Sequence, residues 1–142
     1  MVFQGKAYNE IRIGEHISAA LTITETHLVL AAALTGDFNP LHINQQFAEK
    51  SQFGSRILHG VATSAIMGGL PGMYFAGTAV AYLEHNCRFK APVRPGDTLT
   101  TVWTISRKSL TSPIITAASS CLPVCAATRR ERWWRRRMEK CW

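Results

Sequence analysis

The sequence predicts an α+β domain in which one buried helix lies against several antiparallel strands. Three observations predict it. Val61 to Met67 is apolar nearly all round and built from small side chains, the pattern of a helix enclosed by protein. From Thr78 onward the texture changes to runs of Val, Ile, Thr, Tyr and Phe, the composition of strands. Among those runs, Pro92-Val93-Arg94-Pro95-Gly96-Asp97 is a strong turn signal. At 142 residues the chain suits one domain with a real core and is short for two.

The elements follow in order. His16 to Ile23 is extended in character and rich in Ile, Leu and Thr. Thr24 then offers an N-cap, and Glu25 in the first turn suits the helix dipole. Leu28, Ala31, Ala32 and Thr35 recur at helical spacing, and Gly36 ends that helix. A polar loop follows, after which Asn44 caps a second short helix, Gln45 to Lys50. Ile57-Leu58-His59-Gly60 opens the apolar helix, which Gly68, Gly69, Pro71 and Gly72 break. Ala79 to Lys90 reads as a long strand carrying Val80, Tyr82, Leu83, Cys87 and Phe89. Leu99 to Ser106 gives the next, with Val102 and Ile105 apolar and Thr between. Ile114-Ile115-Thr116 begins a third.

The hydrophobic share of 46% and charged share of 18% are those of a soluble globular protein. No apolar run approaches the ~20 residues that cross a bilayer. Met1 to Glu10 has no apolar signal core, so the expected compartment is the cytoplasm, with no membrane partner. The net charge of +7 invites a nucleic-acid reading, but its placement opposes one. Residues 129–142 hold seven basic side chains against two acidic, whereas the other 128 hold nine against seven. Cys121, Cys125 and Cys141 also fall near the end, and only Cys87 lies in the body. That is no disulfide framework, and Cys121 and Cys125 lack a second ligand pair for zinc.

The chemistry-bearing stretch is Thr35-Gly36-Asp37-Phe38-Asn39-Pro40-Leu41-His42, continuing to Ala48. A carboxylate and an imidazole that share one water can orient it and accept its proton, which makes Asp37 and His42 an acid–base pair. Asn39 carries both a donor and an acceptor and suits fixing a partner's rotamer. Pro40 keeps a regular helix from absorbing the loop. Gly60 offers an N–H at a helix start, where negative charge is favoured. Asp-x-Asn-Pro is also a common turn sequence whose side chains serve their own backbone, and local composition alone leaves both readings open. His16, His27, His59 and His85 read as structural or surface residues. Ser64 reads as packed, since no nucleophile elbow surrounds it.

Gly36-Asp37-Phe38-Asn39-Pro40-Leu41-His42, five further residues and Ala48 resemble the signature of the MaoC-like dehydratases, which include the (R)-specific enoyl-CoA hydratases. The resemblance runs from about Gly5 to about Thr116. It takes in Ile57-Leu58-His59-Gly60 and the Phe89-to-Asp97 segment. It implies a hot-dog fold, a helix wrapped by an antiparallel sheet, as a homodimer or dimer of dimers. It implies reversible syn hydration of a trans-2-enoyl-CoA to an (R)-3-hydroxyacyl-CoA. Asp37 and His42 would then activate the water and move the α-proton, Asn39 would support them, and the Gly60 N–H would polarise the thioester carbonyl. No metal or redox cofactor enters; the coenzyme A thioester is the substrate. Leu70, Met73, Tyr74 and Phe75 are candidates for the acyl wall, although core packing explains them equally well. Arg88, Lys90 and Arg94 are candidates for the coenzyme A phosphates, an exposed basic face being the alternative.

The end of the chain departs from that pattern, which divides the sequence into a domain over 1–116 and an atypical tail over 117–142. The family finishes on a Val-rich strand. Here Arg129 to Arg137 gathers seven charges around Trp133 and Trp134, which cannot alternate as a buried strand. The change is abrupt enough to predict a shifted reading frame. Two other functions compete with hydration. A hot-dog thioesterase would also place a carboxylate near a helix N-terminus, but the Asp37-to-His42 loop favours the hydratase. A degenerate subunit would bind acyl-CoA without catalysis, with its basic tail on RNA or acidic lipid.

Overall fold

The computed structural model of the chain describes residues 5–108 in full and the backbone of 115–124. A 3₁₀ turn at Tyr8–Glu10 precedes β1 (His16–Thr22), α1 (Glu25–Thr35), α2 (Pro40–Ile43), α3 (Gln45–Lys50), α4 (Gly60–Tyr74), β2 (Thr98–Lys108) and β3 (Ile115–Val124). The strands form one sheet in the order β1-β2-β3. Two pairings fix β1 as antiparallel to β2. At one end Gly14 N–H donates to Ile105 O and Ile105 N–H to Glu15 O; at the other Ile23 N–H donates to Asp97 O and Gly96 N–H to Ile23 O. As one strand's numbers rise the partner's fall, which is the antiparallel rule. Thr22 and Thr98 add a cross-strand hydroxyl pair at 2.9 Å.

The described residues form two compact units, one from 5–21, 59–88, 100–108 and 115–122, the other from 22–58, 89–99 and 123–124. In the second unit the predicted first helix forms with its predicted ends. Thr24 and His27 make a reciprocal cap, the Thr24 N–H donating to His27 Nδ1 at 2.9 Å. Gly36 closes it at φ 72°, a left-handed conformation that suits glycine, with its N–H on Ala32 O at 2.9 Å. Leu28, Ala31 and Ala32 are the buried face. Asn44 caps α3 as predicted, accepting from the Phe47 N–H at 3.0 Å. The Arg94–Asp97 turn also forms. Arg94 N–H donates to Asp97 Oδ2 at 2.8 Å, and Gly96 sits at φ 92°.

In the first unit β2 alternates as far as Ile105. Thr101, Trp103 and Ile105 are buried while their neighbours face outward. Val102 therefore lies on the face opposite Ile105. α4 differs more. The predicted break at Gly68–Gly72 does not occur, and the helix runs through Pro71 to Tyr74. Proline has no N–H, so the Met67 carbonyl loses the donor four residues on. The indole of Trp103 supplies the replacement, Nε1–H donating to Met67 O at 2.9 Å inside the core. α4 is also not enclosed all round: Thr63, Met67 and Pro71 form its buried stripe, and Val61 and Met73 are exposed.

The second correction concerns Ala79 to Lys90. The segment has strand composition, yet it joins no sheet among the described residues, and Val80 and Leu83 stand exposed. A strand exists only through a ladder of backbone partners, which composition does not supply. β3 begins where Ile114-Ile115-Thr116 was read as a strand and continues to Val124, so the boundary placed at 116 falls within it. The rest of the tail, 125–142, lies outside the described residues.

Gly5 and Lys6 are held to the end of α4 and the residues just after it. Gly5 N–H donates to Ala76 O at 2.7 Å, and a Cβ on Gly5 would lie 2.3 Å from Ala76 N. Next to it, Lys6 and the Tyr74 hydroxyl both bind the Glu15 carboxylate. These bonds, led by the one from Lys6, hold the Glu15 carboxyl down at about 2 and raise Lys6 above its ordinary range.

Candidate active site

Asp37, Asn39 and His42 are placed by local structure. The Asp37 carboxylate accepts from the Asn39 N–H at 3.1 Å through Oδ1, an Asx turn that aims the remaining oxygen. Asn39 is the N-cap of α2 and accepts from the Leu41 N–H at 3.0 Å. Pro40 was expected to keep helix out of this loop. It instead opens the short helix at its first position, where its missing N–H costs nothing. That turn of helix carries His42 back towards Asp37.

The geometry fixes the tautomer of His42. Its Nδ1 lies 2.7 Å from Ile57 O, and a carbonyl only accepts, so Nδ1 carries the proton. In the neutral ring Nε2 is then the acceptor. It faces Asp37 Oδ2 at 3.8 Å, beyond a direct hydrogen bond and within reach of one water held by both. The His42 side chain is 12% exposed and that of Asp37 51%, so the pair opens to solvent from the carboxylate side.

Three residues beyond Ile57 the chain enters α4. Gly60 is its first residue, so its N–H is among those with no intrahelical carbonyl to fill it. His59 precedes it, buried, with its carbonyl accepting from the Thr63 N–H at 3.0 Å.

The substrate candidates divide. Leu70, Tyr74 and Phe75 are half-buried and Met73 is exposed. The Tyr74 ring meets Phe75 edge-on at 4.8 Å, and its hydroxyl is committed to Glu15. Arg88 and Lys90 are exposed. Arg94 is a tether, with Nε on Ser55 Oγ and Nη2 on Phe53 O, both at 3.0 Å. Arg56 does similar work, joining Glu25 at 2.6 Å and Gln45 at 3.1 Å.

The MaoC like domain family matches residues 9–119 of this sequence. The chain belongs to that family. It is 32% identical over 114 residues to the (R)-specific enoyl-CoA hydratase of Rhodospirillum rubrum, covering 80% of this chain and 79% of that one. It is 30% identical over 106 residues to the (R)-specific enoyl-CoA hydratase of Aeromonas caviae, covering 75% and 79%. The solved structure of the Aeromonas caviae (R)-hydratase involved in PHA biosynthesis superposes with a TM-score of 0.74 at 28% identity, covering 80% of this chain and 86% of that one. The α+β architecture is thus the hot-dog fold of the MaoC-like proteins.

One pairing was not foreseen from the sequence: Ser64, read as packed, and His85, read as structural or on the surface, meet with Oγ and Nδ1 3.1 Å apart. The signal lay in the helix repeat, since Ser64 stands one turn after Gly60 on the same face. Nothing local identified His85 as its partner. His27 serves the α1 cap, and His16 lies on Thr104 Oγ1 at 2.9 Å. No helix among the described residues is long and apolar enough to cross a membrane.

Proposed function

We propose that this MaoC-like chain adds water across the double bond of a trans-2-enoyl-CoA to give an (R)-3-hydroxyacyl-CoA, and runs the reverse dehydration. The carrying observation is the fixed His42 ring, whose Nδ1 is spent on Ile57 O while Nε2 faces Asp37 Oδ2 at 3.8 Å. A water held by both groups loses a proton to the pair as its oxygen bonds to C3. The same pair delivers a proton to C2 from the same side, so addition is syn and the pair ends as it began. The family resemblance assigns the thioester oxygen to the Gly60 N–H, a helix start that favours developing negative charge. Asn39 supports the pair by capping the turn that carries His42. The reading routes no step through a metal or redox cofactor, and takes the active form as a homodimer or dimer of dimers.

Crotonyl-CoA tests this directly. Hydration removes enoyl absorbance without releasing thiol. Free coenzyme A would make the chain a thioesterase, and a folded but inert protein would make it a binding subunit. Asp37→Asn and His42→Ala should each lower kcat by roughly 10²–10⁴-fold, the usual worth of a positioned acid or base. Wild-type rates in either variant would remove that residue from the mechanism.

A further inference from the structure

We infer that α4 carries a polar subsite one turn beyond the thioester, in which Ser64 donates a hydrogen bond to an oxygen on the acyl chain. The inference rests on the hydratase reading above, because that reading places the thioester oxygen at Gly60. Gly60, Ser64 and Gly68 share one helix face at four-residue steps, each roughly 6 Å along the axis. An acyl group following that face from the Gly60 N–H reaches the Ser64 hydroxyl after about four bonds, near C5.

The hydroxyl there is oriented. His85 Nε2 is buried and has no hydrogen-bond partner among the described residues. A buried N–H left unpaired costs more than a buried lone pair, so the proton resides on Nδ1. Nδ1–H then donates to Ser64 Oγ at 3.1 Å, which leaves the serine proton to point elsewhere. Ser64 is half-buried and so within reach of a ligand. The His85 ring is held between Trp103, at 5.5 Å, and Tyr82, at 5.9 Å. At the next turn Gly68 lets the cover come close: a Cβ there would lie 3.6 Å from the Tyr82 hydroxyl and 3.8 Å from His85 Nδ1. The groups closing over this face are therefore two hydroxyls, an imidazole and an indole, where a plain alkyl chain would call for aliphatic walls. Ser64 is the contact and His85 its positioning residue.

The test compares trans-2-hexenoyl-CoA with 5-hydroxy-trans-2-pentenoyl-CoA, in which a hydroxyl replaces the terminal methyl. The wild type should show the higher kcat/KM for the hydroxy substrate. Ser64→Ala should cut that preference roughly ten-fold. His85→Leu should do the same, and His85→Asn, which keeps a donor near Nδ1, should retain more of it. A wild-type preference for hexenoyl-CoA, or an unchanged ratio in Ser64→Ala, overturns the subsite. Failure of the hydratase reading looks different: the folded wild type would hydrate neither of these nor crotonyl-CoA. Calorimetric binding of 5-hydroxypentanoyl-CoA against hexanoyl-CoA then decides. Tighter binding of the former that Ser64→Ala abolishes supports the subsite, and equal binding overturns it.

Discussion

The bond between Trp103 and Met67 permits a sharp test of how α4 survives its own proline. Trp103→Phe removes the indole N–H and leaves the Met67 carbonyl in the core without the donor that Pro71 cannot supply. An orphaned buried polar group costs about 1–3 kcal/mol, and the smaller ring adds a packing loss of similar size. The single variant cannot separate the two, but Pro71→Ala can. Alanine restores an N–H four residues after Met67, so in that background Trp103→Phe should lose packing alone. The coupling energy of the cycle should therefore be about 1–2 kcal/mol, with Trp103→Phe milder when residue 71 is alanine. Urea unfolding of the four proteins, with m unchanged among them, reads this directly. Additivity within about 0.5 kcal/mol would mean that the indole bond is incidental and that helix continuity past Pro71 has another cause.

Other expectations follow from the same geometry. Glu15 has its folded carboxyl at about 2, well below the ordinary 4.5, so the stability it confers is complete above about pH 4.5 and is lost as pH falls towards 2; thermal melts across that window should show the loss, and Glu15→Gln should flatten it. Asn39→Ala should lower stability by about 1 kcal/mol through loss of the α2 cap, with Asn39→Ser recovering most of it by melting temperature. Gly36→Ala should cost about 1 kcal/mol in urea unfolding, because φ 72° disfavours a Cβ.

What could be read from the sequence was whatever local chemistry decides. Thr24, Gly36 and Asn44 announce helix ends because each satisfies a backbone group within three or four residues of itself. The Asp37–His42 loop was legible for the same reason, its turn and cap being made of its own side chains. Long-range partners decided the rest. Gly68 to Gly72 reads as a break until Trp103, more than thirty residues away, fills the missing bond. Ala79 to Lys90 has strand composition, and composition does not state whether a neighbour will pair with it. Ser64 and His85 are 21 residues apart, and neither carries a motif pointing to the other.

The Ile57 carbonyl also limits how the site can work in both directions. Turning the His42 ring over would put the Cδ2 carbon where Nδ1 now lies, 2.7 Å from Ile57 O, and forfeit the bond. The imidazole therefore keeps one face to the reaction throughout a turnover. Hydration and dehydration, as proposed here, differ only in which of water and C2 the proton visits first, and reversal is achieved by moving a proton across a stationary frame.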